Sequence, residues 1–219
     1  VHPDNIVRFW LSHGDRVALG DPDGRHWTFA EIGRRAARVA HTWRNLGVHR
    51  RDAVWIWSRP SELHAILAVG TIGFGAVAGI LPDGAPPPAV RAALEASAAR
   101  LLVTDSRRKA AVDSWRRALP ELWHVVLADD GPAPMSGGDF RLRDYIEPAA
   151  EAFDWPPLGG AWPAVYLGDA AGVLSHAELA ATSAAIPFRA WDDPRLVCDV
   201  LAPAWRTGLS VAAPLFRAA

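Results

Sequence analysis

Residues 52–82 read DAVWIWSRPSELHAILAVGTIGFGAVAGILP, and the reading of this stretch decides the fold. DAVWIWS is a strand pattern of β-branched and aromatic residues, with Trp55 and Trp57 on one face. SELHAILAVGTIGFG is a mostly apolar helix, and AVAGILP is the next strand. A strand, a covering helix and a second strand form the repeating unit of a parallel sheet.

The alternation continues on the C-terminal side. PAVRAALEASAA reads as a helix, RLLVTD as a strand, RRKAAVDSWRRAL as an amphipathic helix and WHVVLAD as another strand. On the N-terminal side, Asp4 is placed to cap a short helix carrying Ile6, Phe9 and Trp10. RVALG and RHWTF flank the turn sequence DPDG and predict a β-hairpin over residues 16 to 29. Thr28 and Glu31 make a capping box for a helix that runs to about Leu46 and closes at Gly47. Residues 129–162 are richer in Gly, Pro and acids and predict surface connections around one short element, FRLRDYI. Together these pieces predict an α/β fold, an open and mostly parallel sheet with helices on both faces.

Composition bounds the partners. The chain has 219 residues, half of them hydrophobic, and a formal net charge of −1 from 23 basic and 24 acidic side chains. That balance provides no global field for nucleic acid or an anionic membrane, so neither is expected as a partner. The longest apolar stretch is broken by glycines and ends in proline, short of the roughly 20 residues of a membrane span. No signal-peptide layout opens the sequence, and the expectation is a soluble cytoplasmic protein. Cys198 is the single cysteine, which excludes an internal disulfide and reads as a buried thiol in RLVCDVLA.

Several patterns that could carry chemistry read as structure instead. GFGAVA (73–78) fits a dinucleotide fingerprint, but it follows a helix and precedes a strand, the reverse of the required order. None of the eight histidines forms an H-x-x-x-H pair, so no metal site is expected. Ser175 and His176 are neighbours in sequence without a G-x-S-x-G elbow. Most of the eleven tryptophans read as core, with Trp10, Trp27 and Trp43 expected to share one core with Trp55 and Trp57. Trp155, Trp162, Trp191 and Trp205 lie in proline-rich or polar surroundings, where exposed indoles would anchor an interface.

The order and wording of these segments resemble the N-terminal part of the adenylate-forming enzymes, the acyl- and aryl-CoA synthetases and nonribosomal peptide adenylation domains. The likeness is carried by WTFAEIGRRAARVAHTWRNLGVHRRDAVWIWSRPSELHAILAVGTIGFGAVAGILP, by ARLLVTD, by PAVYL with GVLSHAEL, and by VLAPAWRTGL. It covers almost the whole chain. It implies residues 1–160 as an N-terminal α/β subdomain and 161–219 as the start of a second, truncated subdomain. It also implies attack of a carboxylate on ATP through a phosphate loop close to Y-T-S-G-T-T-G-x-P-K-G-V, followed by S/T-H.

Here Tyr166 opens that position, and Gly172, Val173, Ser175 and His176 close it. Between them stand Leu167, Gly168, Asp169, Ala170 and Ala171, with no Ser/Thr run, proline or lysine. A phosphate loop works by converging backbone N–H groups, hydroxyls and an ammonium. Asp169 instead sets a negative charge beside a polyanion. The degenerate position Gly168, Asp169, Gly172 therefore predicts a hairpin closed by a Gly-Asp turn, with Ser175 and Glu178 capping the next helix.

Lys109, the only lysine, falls on an amphipathic helix and reads as a solvated surface charge. No catalytic residue and no cofactor are expected. The leading expectation is a catalytically incompetent, truncated relative acting as a structural or interaction module, self-associating or docking onto another protein in a polyketide or nonribosomal peptide setting. The alternatives are part of a split or longer ligase, and an acyl or aryl sensor.

Overall fold

The structure is a computed structural model that describes residues 4–20, 26–59, 62–167 and 172–184. Helix α1 (Ile6–Leu11) leads into a two-stranded antiparallel sheet of β1 (Val17–Gly20) and β2 (His26–Thr28). Then follow α2 (Phe29–Asn45), β3 (Ala53–Trp57), α3 (Glu62–Phe74), β4 (Val77–Ile80), α4 (Pro87–Ala96) and β5 (Leu101–Thr104). The chain continues through α5 (Lys109–Arg116), β6 (His124–Leu127), β7 (Asp139–Arg141) and α6 (Leu142–Ile146). It closes with β8 (Pro163–Leu167), β9 (Gly172–Ser175) and α7 (His176–Ala184).

Seven of these strands form one sheet in the order β7-β6-β5-β3-β4-β8-β9. Every neighbouring pair is parallel except β8 and β9. All five residues of β3 are buried, as a central parallel strand covered on both faces requires. Its side chains alternate between two cores. Val54 and Ile56 join α2 and α3, whereas Trp55 and Trp57 join Val90 and Leu94 of α4 and Val112 of α5.

Trp27 and Trp43 belong to the first core, with Trp10 packed against it, so the tryptophans are divided between opposite faces of the sheet. The single tryptophan core expected from sequence is corrected by the strand alternation itself.

Local chemistry sets the element ends. Glu31 N donates to Thr28 Oγ1 at 3.1 Å and Thr28 N donates to Glu31 Oε2 at 2.8 Å, completing the capping box. At the other end of α2, Gly47 has φ 75° and lets Val48 N reach the Trp43 carbonyl at 2.9 Å, the closing bond of a Schellman motif. Gly70 permits the close approach of α3 to α2, because a Cβ there would stand 2.6 Å from Val39 Cβ.

Two sequence expectations change. Asn5, not Asp4, caps α1: its Oδ1 accepts from Val7 N at 3.0 Å. Asp4 instead pairs with Arg8 at 3.1 Å. The Asn5 amide donates to the carbonyls of Gly73 and Pro156 at 3.0 and 2.9 Å, so the cap also ties together distant parts of the chain. FRLRDYI is not one element; it divides into β7, paired with β6 at the sheet edge, and α6. β8 pairs with β4 through Ala78–Val165 and Gly79–Tyr166, so strands on both sides of residue 160 share one sheet. No helix among the described residues is long and apolar enough to cross a membrane.

Candidate functional site

The segment that would hold phosphate is built on β8, β9 and the start of α7. Tyr166 sits on β8 because Gly79, its partner on β4, leaves room for the Trp55 ring, which a Cβ on Gly79 would overlap. Trp55 stacks on Tyr166 with centroids 5.2 Å apart and planes 17° from parallel, and its indole N–H donates to Ser97 Oγ at 2.8 Å. Burial pushes the Tyr166 phenol above its usual value of 10.0, so it remains protonated at neutral pH.

β8 and β9 form the expected antiparallel hairpin, with Tyr166 opposite Val173 and Leu167 opposite Gly172. Gly172 begins β9, and Gly168 and Asp169 lie outside the described residues.

The N-terminus of α7 is where an anion would bind, through the amides a helix leaves unpaired. Here the chain fills them itself. His176 N donates to the Trp162 carbonyl at 2.9 Å and Ala177 N to the Gly160 carbonyl at 2.9 Å. Glu178 N donates to Ser175 Oγ at 3.2 Å, and Ser175 N and Oγ donate to Glu178 Oε2 at 2.8 and 2.7 Å. The bond from the Ser175 backbone, then that from its hydroxyl, holds the Glu178 carboxyl below its usual range. A carboxylate thus occupies the dipole end that a phosphate would use.

His176 is 5% exposed, and neither of its ring nitrogens has a hydrogen-bond partner among the described residues. Burial lowers its pKa from 6.5. The unfolded chain therefore binds a proton before the folded one does, and stability falls as pH drops from 6.5 toward the depressed folded value. Replacing His176 with Leu removes two buried unsatisfied groups and is expected to leave the protein at least as stable at pH 7. The variant's advantage should widen on acidification to pH 5, by at most about 1.4 kcal/mol per pH unit. Thermal melts of both proteins across that range measure the difference, and parallel curves would refute it.

Lys109 corrects the sequence reading. It is 1% exposed rather than solvated. Its Nζ pairs with Asp113 and, at 3.0 Å, with Asp139 on β7, which also pairs with Arg116. β7 and β8 lie five strand spacings apart, roughly 24 Å at ~4.8 Å per step. The single ammonium of the chain is therefore committed far from the hairpin.

The four tryptophans proposed for an interface also separate. Trp155 is 8% exposed, within the α1–α3 core, and a Cβ at Gly73 would come within 2.6 Å of its ring. This indole is a core residue and offers no surface. Trp162 is half-buried, with the Arg51 guanidinium 6.0 Å from its ring. Trp191, Trp205 and Cys198 lie outside the described residues.

One cluster escaped sequence reasoning. At the carboxyl ends of β4 and β5, Arg108 pairs with both Asp83 and Asp105 and lies 5.0 Å over the Trp57 ring. The strand order reverses between β3 and β5, the place where open α/β sheets gather ligands. Arg108 is already matched by two carboxylates there. Beside it, Ser58 Oγ stands 3.4 Å from His64 Nε2, both residues buried, at the long end of the hydrogen-bond range. Among the described residues no group of three His, Cys, Asp or Glu side chains could hold a metal ion.

This geometry is that of an open, mostly parallel α/β sheet covered by helices on both faces, with the β8–β9 hairpin at one side. The chain belongs to the AMP-binding enzyme family, whose pattern matches residues 8–153. It is 26% identical over 153 residues to an acetyl-coenzyme A synthetase of Nostoc linckia, an alignment covering 64% of this chain and 44% of that protein. Among solved structures, an anthranilate CoA ligase in complex with anthranoyl-AMP superposes with a TM-score of 0.66 at 24% identity, over 75% of this chain and 32% of the ligase. A benzoate CoA ligase from Burkholderia xenovorans gives 0.65 at 21% identity, over 82% and 36%. The chain thus spans less than half the length of these relatives.

Proposed function

We propose that this chain is a non-catalytic relative of the AMP-binding enzymes that serves as a structural or protein-interaction module. The observation that carries the reading is the self-satisfied start of α7, where backbone carbonyls, Ser175 and Glu178 take the amide donors a phosphate would need. Two features of the residues support it. The connection between β8 and β9 reads GDAA, with no hydroxyl and no lysine, and Lys109 is locked against Asp113 and Asp139. Electrostatic stabilisation at the phosphates dominates catalysis of this kind, and the groups that provide it are lacking here. A biosynthetic setting among carboxylate-activating enzymes suits the likeness to CoA ligases.

A second reading, part of a split or longer acyl- or aryl-adenylate-forming ligase, is favoured by the family membership and by the share of the relatives' length that this chain spans. Calorimetric titration with Mg-ATP and with AMP separates the two. No heat of binding is expected from either nucleotide at millimolar concentration. Micromolar binding would overturn the non-catalytic reading and put the ligase part in its place.

A further inference from the structure

We infer that the carboxyl edge of the sheet, between the ends of β3 and β5, holds a binding site for a hydroxyl group of a small neutral polyol, received between Trp57 and Asp105 beside the Arg108 guanidinium. Trp57 closes β3 and pairs in register with Thr104, the last residue of β5, and Asp105 follows directly. The two residues therefore flank the crevice at which the strand order reverses. Trp57 is 2% exposed, and its Nε1 has no hydrogen-bond acceptor among the described residues. Asp105 is 5% exposed, and its Oδ1 has no donor among them. Buried polar atoms are almost always paired, so a donor and an acceptor left over at one crevice mark a place for a guest. Arg108 touches both residues. Its guanidinium lies 5.0 Å from the Trp57 ring centre and pairs with the other oxygen of Asp105.

The fold itself indicates the chemistry that fits. Two other buried indoles, Trp43 and Trp55, each donate to a side-chain hydroxyl, Thr71 Oγ1 at 2.9 Å and Ser97 Oγ at 2.8 Å. Asp129, just past β6, takes the Ser106 hydroxyl on one oxygen at 2.8 Å and the Ser106 amide on the other at 2.9 Å. Trp57 lacks such a hydroxyl acceptor, and Asp105 lacks the second donor. One O–H supplies both, accepting from the indole and donating to the carboxylate. The charges select a neutral guest. Asp83 and Asp105 are balanced by Arg107 and Arg108, so an ion would bring an uncompensated charge into the crevice.

Arg108 governs entry. Its Nη2 donates to the Asp83 carbonyl at 2.8 Å and pairs with the Asp83 carboxylate, on the connection between β4 and α4. The Asp83 side chain is about half exposed, and an ion pair that reaches solvent contributes little, so this contact opens readily. The guest enters beside Asp83 as the guanidinium swings aside, and its remaining hydroxyls face the polar rim of Asp83 and Arg107. Two hydrogen bonds to a small ligand correspond to a dissociation constant of about 1–10 mM. The inference goes beyond the interaction-module reading and does not depend on it.

The test is nuclear magnetic resonance of the full chain with nitrogen-labelled indoles, the Trp57 signal being assigned through W57F. Glycerol, erythritol and myo-inositol are the probes. The unpaired Trp57 N–H should resonate upfield of Trp43 and Trp55, whose indoles are hydrogen-bonded. With at least one polyol it should move downfield and saturate while those two stay in place. D105N should weaken that binding about tenfold, the loss of one charge-assisted hydrogen bond. If D105N also moves the Trp43 and Trp55 signals, its fold is disturbed and W57F gives the answer, with saturation transfer to the bound polyol reporting a comparable loss. No saturable shift, or one shared by all the indoles as an excluded osmolyte would give, overturns the site. So does a Trp57 N–H that contacts water alone, or an affinity that neither variant changes.

Discussion

Replacing Lys109 with methionine is expected to lower the unfolding free energy by about 3–5 kcal/mol, the cost of breaking a buried ion pair from one side. Methionine keeps the apolar stem and removes only the charge, so lost packing contributes little. What remains is Asp139, whose side chain is fully buried, facing Arg116 without its second cation. Urea denaturation measures the loss as a midpoint shift of about 1.5–2.5 M, for a slope near 2 kcal/mol/M. The triple variant K109M/R116M/D139L should recover part of the loss, because it removes Asp139 together with both of its cations. A K109M midpoint within about 0.5 M of wild type would mean that the ammonium is solvated after all. Amine acylation gives an independent reading. The only lysine side chain of the chain should resist modification in the native protein and react once it is unfolded.

Trp55→Ala should cost a comparable amount, about 3–5 kcal/mol, as expected for truncating a fully buried indole. The ring fills the space above Gly79, stacks on Tyr166 and donates to Ser97, so its removal leaves a cavity, an unstacked phenol and an unpaired hydroxyl acceptor. Gly79→Ala attacks the same contact from below and should also destabilise, since a β-carbon there overlaps the ring rather than the end of a flexible chain. Denaturation combined with near-ultraviolet circular dichroism distinguishes this site from Trp123, which is about half exposed at 47%. Equal effects of Trp55→Ala and Trp123→Ala would refute the assignment of Trp55 as the anchor of the α4–α5 face.

Much of the fold could be read in advance because it is written in short-range chemistry. The capping boxes Thr28–Glu31 and Ser175–Glu178 each require only residues three apart, and both are present. The Gly47 closure and the strand–helix–strand order of 52–82 are likewise local. The candidate phosphate position was read from local residue types alone, and its Gly168 and Asp169 lie outside the described residues. A connection reading GDAA lacks the hydroxyls and ammonium of a phosphate loop in any conformation. What escaped reading was the Arg108 cluster, because Asp83, Asp105 and Trp57 converge on it from three different strand ends.

The sequence by itself determined the fold class, the strand and helix pattern, the hairpin at 163–175 and the family likeness, since periodicity, caps and residue types are properties of neighbours along the chain. Only the tertiary structure decided that Lys109 is buried, that Asn5 rather than Asp4 caps α1 while binding Gly73 and Pro156, that Trp155 is core, and that β9 is the outermost strand of the sheet among the described residues. Each of those depends on which strand lies beside which. Lys109 meets Asp139 only because β7 joins the sheet beside β6, and nothing local in the sequence marks these two distant residues as partners.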